Sequence, residues 1–217
     1  MLLRHLCIRL ANKMHGMLVT FKKIYKKIQI GLSHIYGFFH GIKMSKSVYI
    51  GRGCSIRNGS AVSIGYGSRI EPYCVVIPNK KSATISFGSG CVLGMFSRVT
   101  AKKRVSIEDD VITGPNVFIS DFNHEYRDVA LPIKDQGMMQ PSSNNGGVVI
   151  GGGSWLGANV VVVGDVAIGK HCVIGANSVV TKDIPGFSVA VGAPAKVIKL
   201  FDFQSKRWIN FNEKNEH

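Results

Sequence analysis

The chain has seven histidines, and two of them, His124 and His171, fall within its repetitive part. His124 stands in the polar run Asp121, Phe122, Asn123, His124, Glu125, Tyr126. An imidazole has an unperturbed pKa of about 6.5, so its neutral nitrogen can take a hydroxyl proton near pH 7. Such a base, held beside a reacting group, contributes roughly 10²–10⁴-fold to a rate. An exposed loop histidine with no chemistry is the competing reading. His171 falls at a repeat corner and reads as a turn residue. His5, His15, His34, His40 and His217 lie outside the repeats. A three-histidine zinc site needs one more histidine than the repeat region offers, so no metal is expected. The five cysteines form no Cys-x-x-Cys pair. Cys54, Cys74 and Cys172 each follow an isoleucine (Ile50, Ile70, Ile168) by four residues, which suits a small buried slot better than a disulfide framework.

The elements that must carry these residues show in the spacing. Ile150, Leu156, Val162, Ile168, Ile174 and Val180 are six apart, and Gly151, Gly157, Gly169 and Gly175 follow four of them. A period of six is neither 3.6 nor 2, so no single helix face or plain strand accounts for it. Each unit reads as a short strand plus a corner, with three units making one triangular turn of a solenoid. The register continues upstream in Ile107, Thr113 and Ile119. It then continues, with slips, in Leu93 and Val99, in Ile64 and Ile70, and in Ile50 and Ile56. The expected solenoid domain spans residues 48–200. A loop of residues 120–147 interrupts the period; its length and its attachment to a regular strand favour function over disorder.

Residues 1–47 form a separate segment. Cys7, Leu10, Met14, Met17, Phe21, Ile24 and Ile28 alternate at three and four, which predicts an amphipathic helix in heptad register. Three roles remain open for it: covering the solenoid's open end, associating with its own kind, or attaching to a membrane surface. The tail, residues 201–217, allows a short closing helix.

Composition bounds the class. The chain has 217 residues, 45% hydrophobic and 18% charged, which suits one substantial domain. No apolar run is long enough to span a bilayer, and no clean secretory signal is visible, so a cytoplasmic protein is expected. The net charge is +14, and no acid precedes Glu71. That asymmetry suits an anionic glycan or the inner face of a membrane, or simply a solvated basic face. Nucleic acid is not the expected partner.

"IGANSVVTKDIPGFSVAVGAPAKVIK", with "SWLGANVVV" and "SDFNHEY" before it, resembles the hexapeptide-repeat acetyltransferases. The nearest branch is the galactoside, maltose and polysaccharide O-acetyltransferase group. The resemblance implies a mainly β fold, a left-handed parallel β-helix, and a homotrimer binding acetyl-CoA between subunits. It implies His124 as the catalytic general base in direct transfer within a ternary complex. Asp121, Asn123 and Tyr126 would surround the acceptor, with Asp121 or a backbone carbonyl fixing the imidazole tautomer. Trp155, Gly157, Ala158, Ala176, Thr181, Lys182, Lys196 and Lys199 would meet the cofactor. Within that set Ala158 and Ala176 line the pantetheine arm, and the lysines suit the phosphates by charge. A backbone N–H near the turn at residues 155–157 would stabilise the oxyanion. Solvated corner lysines and a packed Trp155 are the structural alternatives.

There are departures from the family pattern. "GGGS" at residues 151–154 replaces a polar corner. Residues 94–103 lack the polar groups of the galactoside branch, which argues against a simple galactoside acceptor. The expected reaction is O-acetylation of a sugar in a capsule, O-antigen or related glycan. Acetylation of a small molecule, such as an antibiotic or a nucleotide-sugar amine, is the alternative, with a non-catalytic scaffold behind it. A serine acetyltransferase would carry a longer helical N-terminal domain.

Overall fold

The computed structural model describes residues 2–80, 82–139 and 145–211, with side chains in the N-terminal helix from Met17 onward. The helical-register residues Cys7, Leu10 and Met14, loop residues 140–144 and the last six residues of the tail lie outside this description. The chain forms one long helix, α1 (Leu2–Phe39), followed by a parallel β-solenoid of about seven coils. The solenoid has three faces. The first stacks strands from Lys43–Met44 to Ala167–Ile168, and the second stacks strands from Tyr49–Ile50 to Ser188–Val191. The third runs from Ser55–Ile56 to Val179–Val180. Pairing within each face is parallel and steps one coil at a time, as in Ile112↔Trp155 and Trp155↔Val173.

The period of six has a simple physical content. On the edge from first to second face, and on the edge from second to third, a strand is followed by a four-residue corner. The third corner residue sits at positive φ, as in Asp110 (59°), Asn116 (58°), Asn159 (59°), His171 (52°) and Asn177 (61°). Asn, Asp and His tolerate that region better than other side chains. His171 is therefore the turn residue its position suggested. The residue just before each corner is the inward aliphatic landmark. Ile150, Leu156, Val162, Ile168, Ile174 and Val180 are all buried to within 1%. Burial of each contributes about 1.5–3 kcal/mol.

The fourth corner residue is small and buried, and it serves the coil beyond. Ser154 Oγ donates to Gly169 O (3.0 Å) and accepts from Cys172 N–H (3.0 Å). The Cys172 thiol donates in turn to Pro185 O (3.1 Å). Burial pushes the Cys91 and Cys172 thiols up from the usual range, so they stay protonated. Cys54, Cys74, Cys91 and Cys172 are free, as the slot reading expects. The first corner residue is often glycine because the coils touch there. A Cβ on Gly157 would lie 2.6 Å from Ala176 N.

The third edge behaves differently. The upstream slips in the register fall on it, at the 3-10 turn Gly59–Ala61, between Val75–Pro78 and Thr84–Phe87, and at residues 102–103. The long loop leaves from the same edge, after Phe118–Ser120, and returns at Val148–Ile150.

The end of α1 covers the first coil. Ile50 N–H donates to Ser33 Oγ (2.9 Å), and Ile56 N–H donates to Tyr36 Oη (3.2 Å). Among the described residues of the tail no closing α-helix forms. Lys196–Asp202 pairs antiparallel with Ser188–Val191 and then with Arg207–Asn210, making a hairpin that extends the second face. Rings hold it: Phe201 meets Trp208 across the strands, and Phe203, in the turn between them, meets Phe201 and Phe187, all edge-on at 4.9–5.4 Å. Among the described residues no helix is long and apolar enough to cross a membrane.

Leu156 has no exposed surface and sits between Thr113 and Ile174 in the stack. Leu156→Ala should lower the unfolding free energy by about 2–5 kcal/mol in denaturant titrations.

Candidate active site

The described arms of the loop carrying His124 are held together by their own contacts. Its outgoing and returning arms pair at an antiparallel bridge between His124 and Met138. Glu125 N–H donates to Gly137 O (3.1 Å), and Met139 N–H donates to Asn123 O (3.0 Å). Further out, the Gln136 amide ties the turn together, accepting from Asp128 N–H (3.0 Å) and donating to Asp128 O (2.7 Å) and Leu131 O (2.8 Å). His124, Asn123 and Tyr126 are all exposed. The Arg127 guanidinium beside Glu125 holds its carboxyl well below the usual carboxylate range. The residue following His124 is thus ionised and already paired.

Asp121 does not take the role expected of it. Its carboxylate is buried and accepts three backbone N–H groups, from Lys102 (2.7 Å), Lys103 (2.7 Å) and Arg104 (2.8 Å). It anchors the loop's departure rather than facing the acceptor or fixing the His124 ring. Sequence reasoning missed its counterparts. Asp165, also buried, accepts Gly147 N–H (2.6 Å) where the loop returns. Asp183 accepts Ala167 N–H (2.8 Å) and the Asn145 amide (3.0 Å). The three acids stand on successive coils of the third edge. The signal available was an Asp shortly after the landmarks Ile119, Val162 and Val180.

The other expected residues divide by location. Thr181 and Lys182 are exposed on the third edge, beside Asp183. Trp155 is 54% exposed on the second face. Ala158 and Ala176 are stacked on the edge between second and third faces, where the Ala158 carbonyl accepts Asn177 N–H (2.9 Å). That carbonyl keeps a second lone pair for a ligand. Lys196 and Lys199 are exposed on the terminal hairpin. Within one protomer the third face separates His124 from the alanine corner, so no single cleft holds the set. Near the turn at residues 155–157, where an oxyanion donor is expected, two N–H groups are already paired. Trp155 N–H and Gly157 N–H donate to Cys172 O and Ile174 O, each at 2.8 Å, and are committed to the coil ladder. Among the described residues no group of three His, Cys, Asp or Glu side chains is placed to hold a metal.

The geometry is an exposed histidine on an anchored loop, raised from a stack of six-residue coil segments. Comparison with known proteins gives it a family. The Bacterial transferase hexapeptide (six repeats) family matches residues 147–182. An Escherichia coli protein named as a lipopolysaccharide biosynthesis O-acetyl transferase, WbbJ, is 31% identical over 162 residues, 74% of this chain and 79% of that one. The chain belongs to the hexapeptide-repeat acetyltransferases. A Mycobacterium tuberculosis protein named as an acetyltransferase is 40% identical over 116 residues, 54% of this chain. The match spans only 37% of that relative's length. Among solved structures, the N-acyltransferase AntD from Bacillus cereus, in complex with dTDP and 3-hydroxybutyryl-CoA, has a TM-score of 0.62 at 19% identity. That likeness, over 81% of this chain and 89% of AntD, is one of fold.

Two outcomes check this arrangement. Asp121→Ala should leave three N–H groups unpaired, at a cost of about 1–3 kcal/mol. It should also speed hydrogen exchange at the Lys102–Arg104 amides. The Glu125 carboxyl should titrate below the ordinary range in NMR experiments, losing its charge only in strong acid, and Arg127→Gln should restore an ordinary midpoint.

Proposed function

We propose that the chain is an acetyl-CoA-dependent O-acetyltransferase that acts on a sugar hydroxyl of a glycan. The observation that carries this reading is His124 on an ordered loop, raised from the edge that also bears Thr181 and Lys182. Likeness to WbbJ over three quarters of the chain supports a glycan acceptor, as does the net charge of +14 for an anionic one.

In this reading the His124 imidazole takes the acceptor hydroxyl proton while the oxygen attacks the thioester carbonyl. The tetrahedral adduct then collapses with cleavage of the C–S bond. The imidazolium returns the proton to the departing thiolate, leaving an acetyl ester and CoA. No acyl-enzyme forms, and no metal takes part. Asn123 and Tyr126 orient the acceptor. Lys182, Lys196 and Lys199 supply positive charge for the CoA phosphates, with Thr181 beside them. The carbonyls at Ala158 and Ala176 face the pantetheine arm, and Trp155 flanks the acetyl group. Holding both substrates together supplies much of the remaining rate gain.

The active unit is a homotrimer, with each site shared by two protomers. Supporting this are the separation of His124 from the alanine corner within one chain and the apolar loop tip. There Val129 is 98% exposed, with Tyr126, Leu131 and Ile133 at 49–61%.

Calorimetric titration should show acetyl-CoA binding; no binding at millimolar ligand ends the enzyme reading. His124→Ala should lower turnover by roughly 10²–10⁴-fold with acetyl-CoA affinity retained. A thiol-release assay across oligosaccharides, simple sugars and amino sugars should favour glycan hydroxyls. Preference for an amine would move the reaction to N-acetylation.

A further inference from the structure

The N-terminal helix has a face that the solenoid leaves bare. Its contacts with the first coil come from Ser33, Tyr36 and Gly37, the last so close that a Cβ there would lie within 3.5 Å of three Met44 side-chain atoms. Phe21, Ile24, Ile28, Ile35 and Phe38 are 51–81% exposed. At about 100° per residue they share an arc roughly opposite the contact side. Lys22, Lys23, Lys26 and Lys27, one to three turns before the contact residues, lie on the side away from that arc. Large exposed apolar patches of this kind mark interaction surfaces.

Charge decides between candidate occupants. No Asp or Glu occurs before Glu71. Copies of the helix bundled together would bring lysines side by side with no carboxylate from the first 70 residues to offset them. An anionic bilayer offers both an apolar boundary for the phenylalanines and isoleucines and phosphates for the lysines. We propose that α1 lies in the interfacial plane of an anionic lipid membrane and seats the solenoid there by its first coil. This inference stands apart from the transfer reaction.

The test uses the full chain and two vesicle preparations, one of equimolar phosphatidylglycerol and phosphatidylcholine, the other of phosphatidylcholine alone. Co-sedimentation should show binding to the anionic vesicles, weaker in high salt and much weaker on the neutral ones. Replacing Lys22, Lys23, Lys26 and Lys27 by Gln should reduce partitioning about fivefold per lysine, the equivalent of about 1 kcal/mol per charge. Both that variant and Phe21→Ser/Ile24→Ser should keep the wild-type unfolding midpoint, because these side chains face solvent. The wild-type salt dependence needs no variant. Absence of binding to anionic vesicles overturns the proposal, as does equal binding to neutral ones. A drop in association state for Phe21→Ser/Ile24→Ser, read by sedimentation equilibrium, also overturns it and assigns the face to a second copy.

Discussion

A solenoid of very short strands depends on its corners. Two-residue strands cannot hold a sheet by themselves, so each coil must turn sharply at the same place as the coil below. The left-handed residue third in each corner makes that possible, from Ser47 and Gly53 at the first coil to His171 and Asn177 at the sixth. Stacked in register, these residues also bond through the backbone, as where Asn177 N–H meets Ala158 O and His171 N–H meets Gly152 O, each at 2.9 Å. The aliphatic core is the result of that alignment, since an inward residue on one coil then lies above an inward residue on the next.

Two edges are held strictly to four-residue corners, and variation is confined to the third. The loop is the extreme case of a tolerance that begins with the turn at Gly59–Ala61. A long excursion needs fixed ends if it is to place a side chain usefully, and buried carboxylates provide them. Asp121 gathers three N–H groups where the chain leaves, and Asp165 takes another where it rejoins. The rigid coils beneath therefore govern where His124 stands, although His124 itself is exposed.

Much of the architecture was legible because burial follows periodicity. The landmarks from Ile150 to Val180 needed only their spacing, and so did the small slots at Cys74 and Cys172. The tail was not legible, because the ring contacts among Phe187, Phe201, Phe203 and Trp208 join turn and strand positions far apart in sequence, and such pairing leaves no local period. At the candidate site, His124 was singled out by its setting. Asp121 was given the wrong partner because a carboxylate three residues from a histidine looks chemical, while the N–H groups that claim it lie 17 to 19 residues upstream.

The stack also acts as a ruler. Successive coils stand about 4.8 Å apart, and the loop departs from the fourth coil while the helix caps the first. The histidine loop's root is thus set roughly 14 Å above the helix end, in whole steps of one coil. Gain or loss of a complete coil between them would change that height by one step and leave the loop on the same edge, whereas a single inserted residue in a strict corner would rotate everything above it.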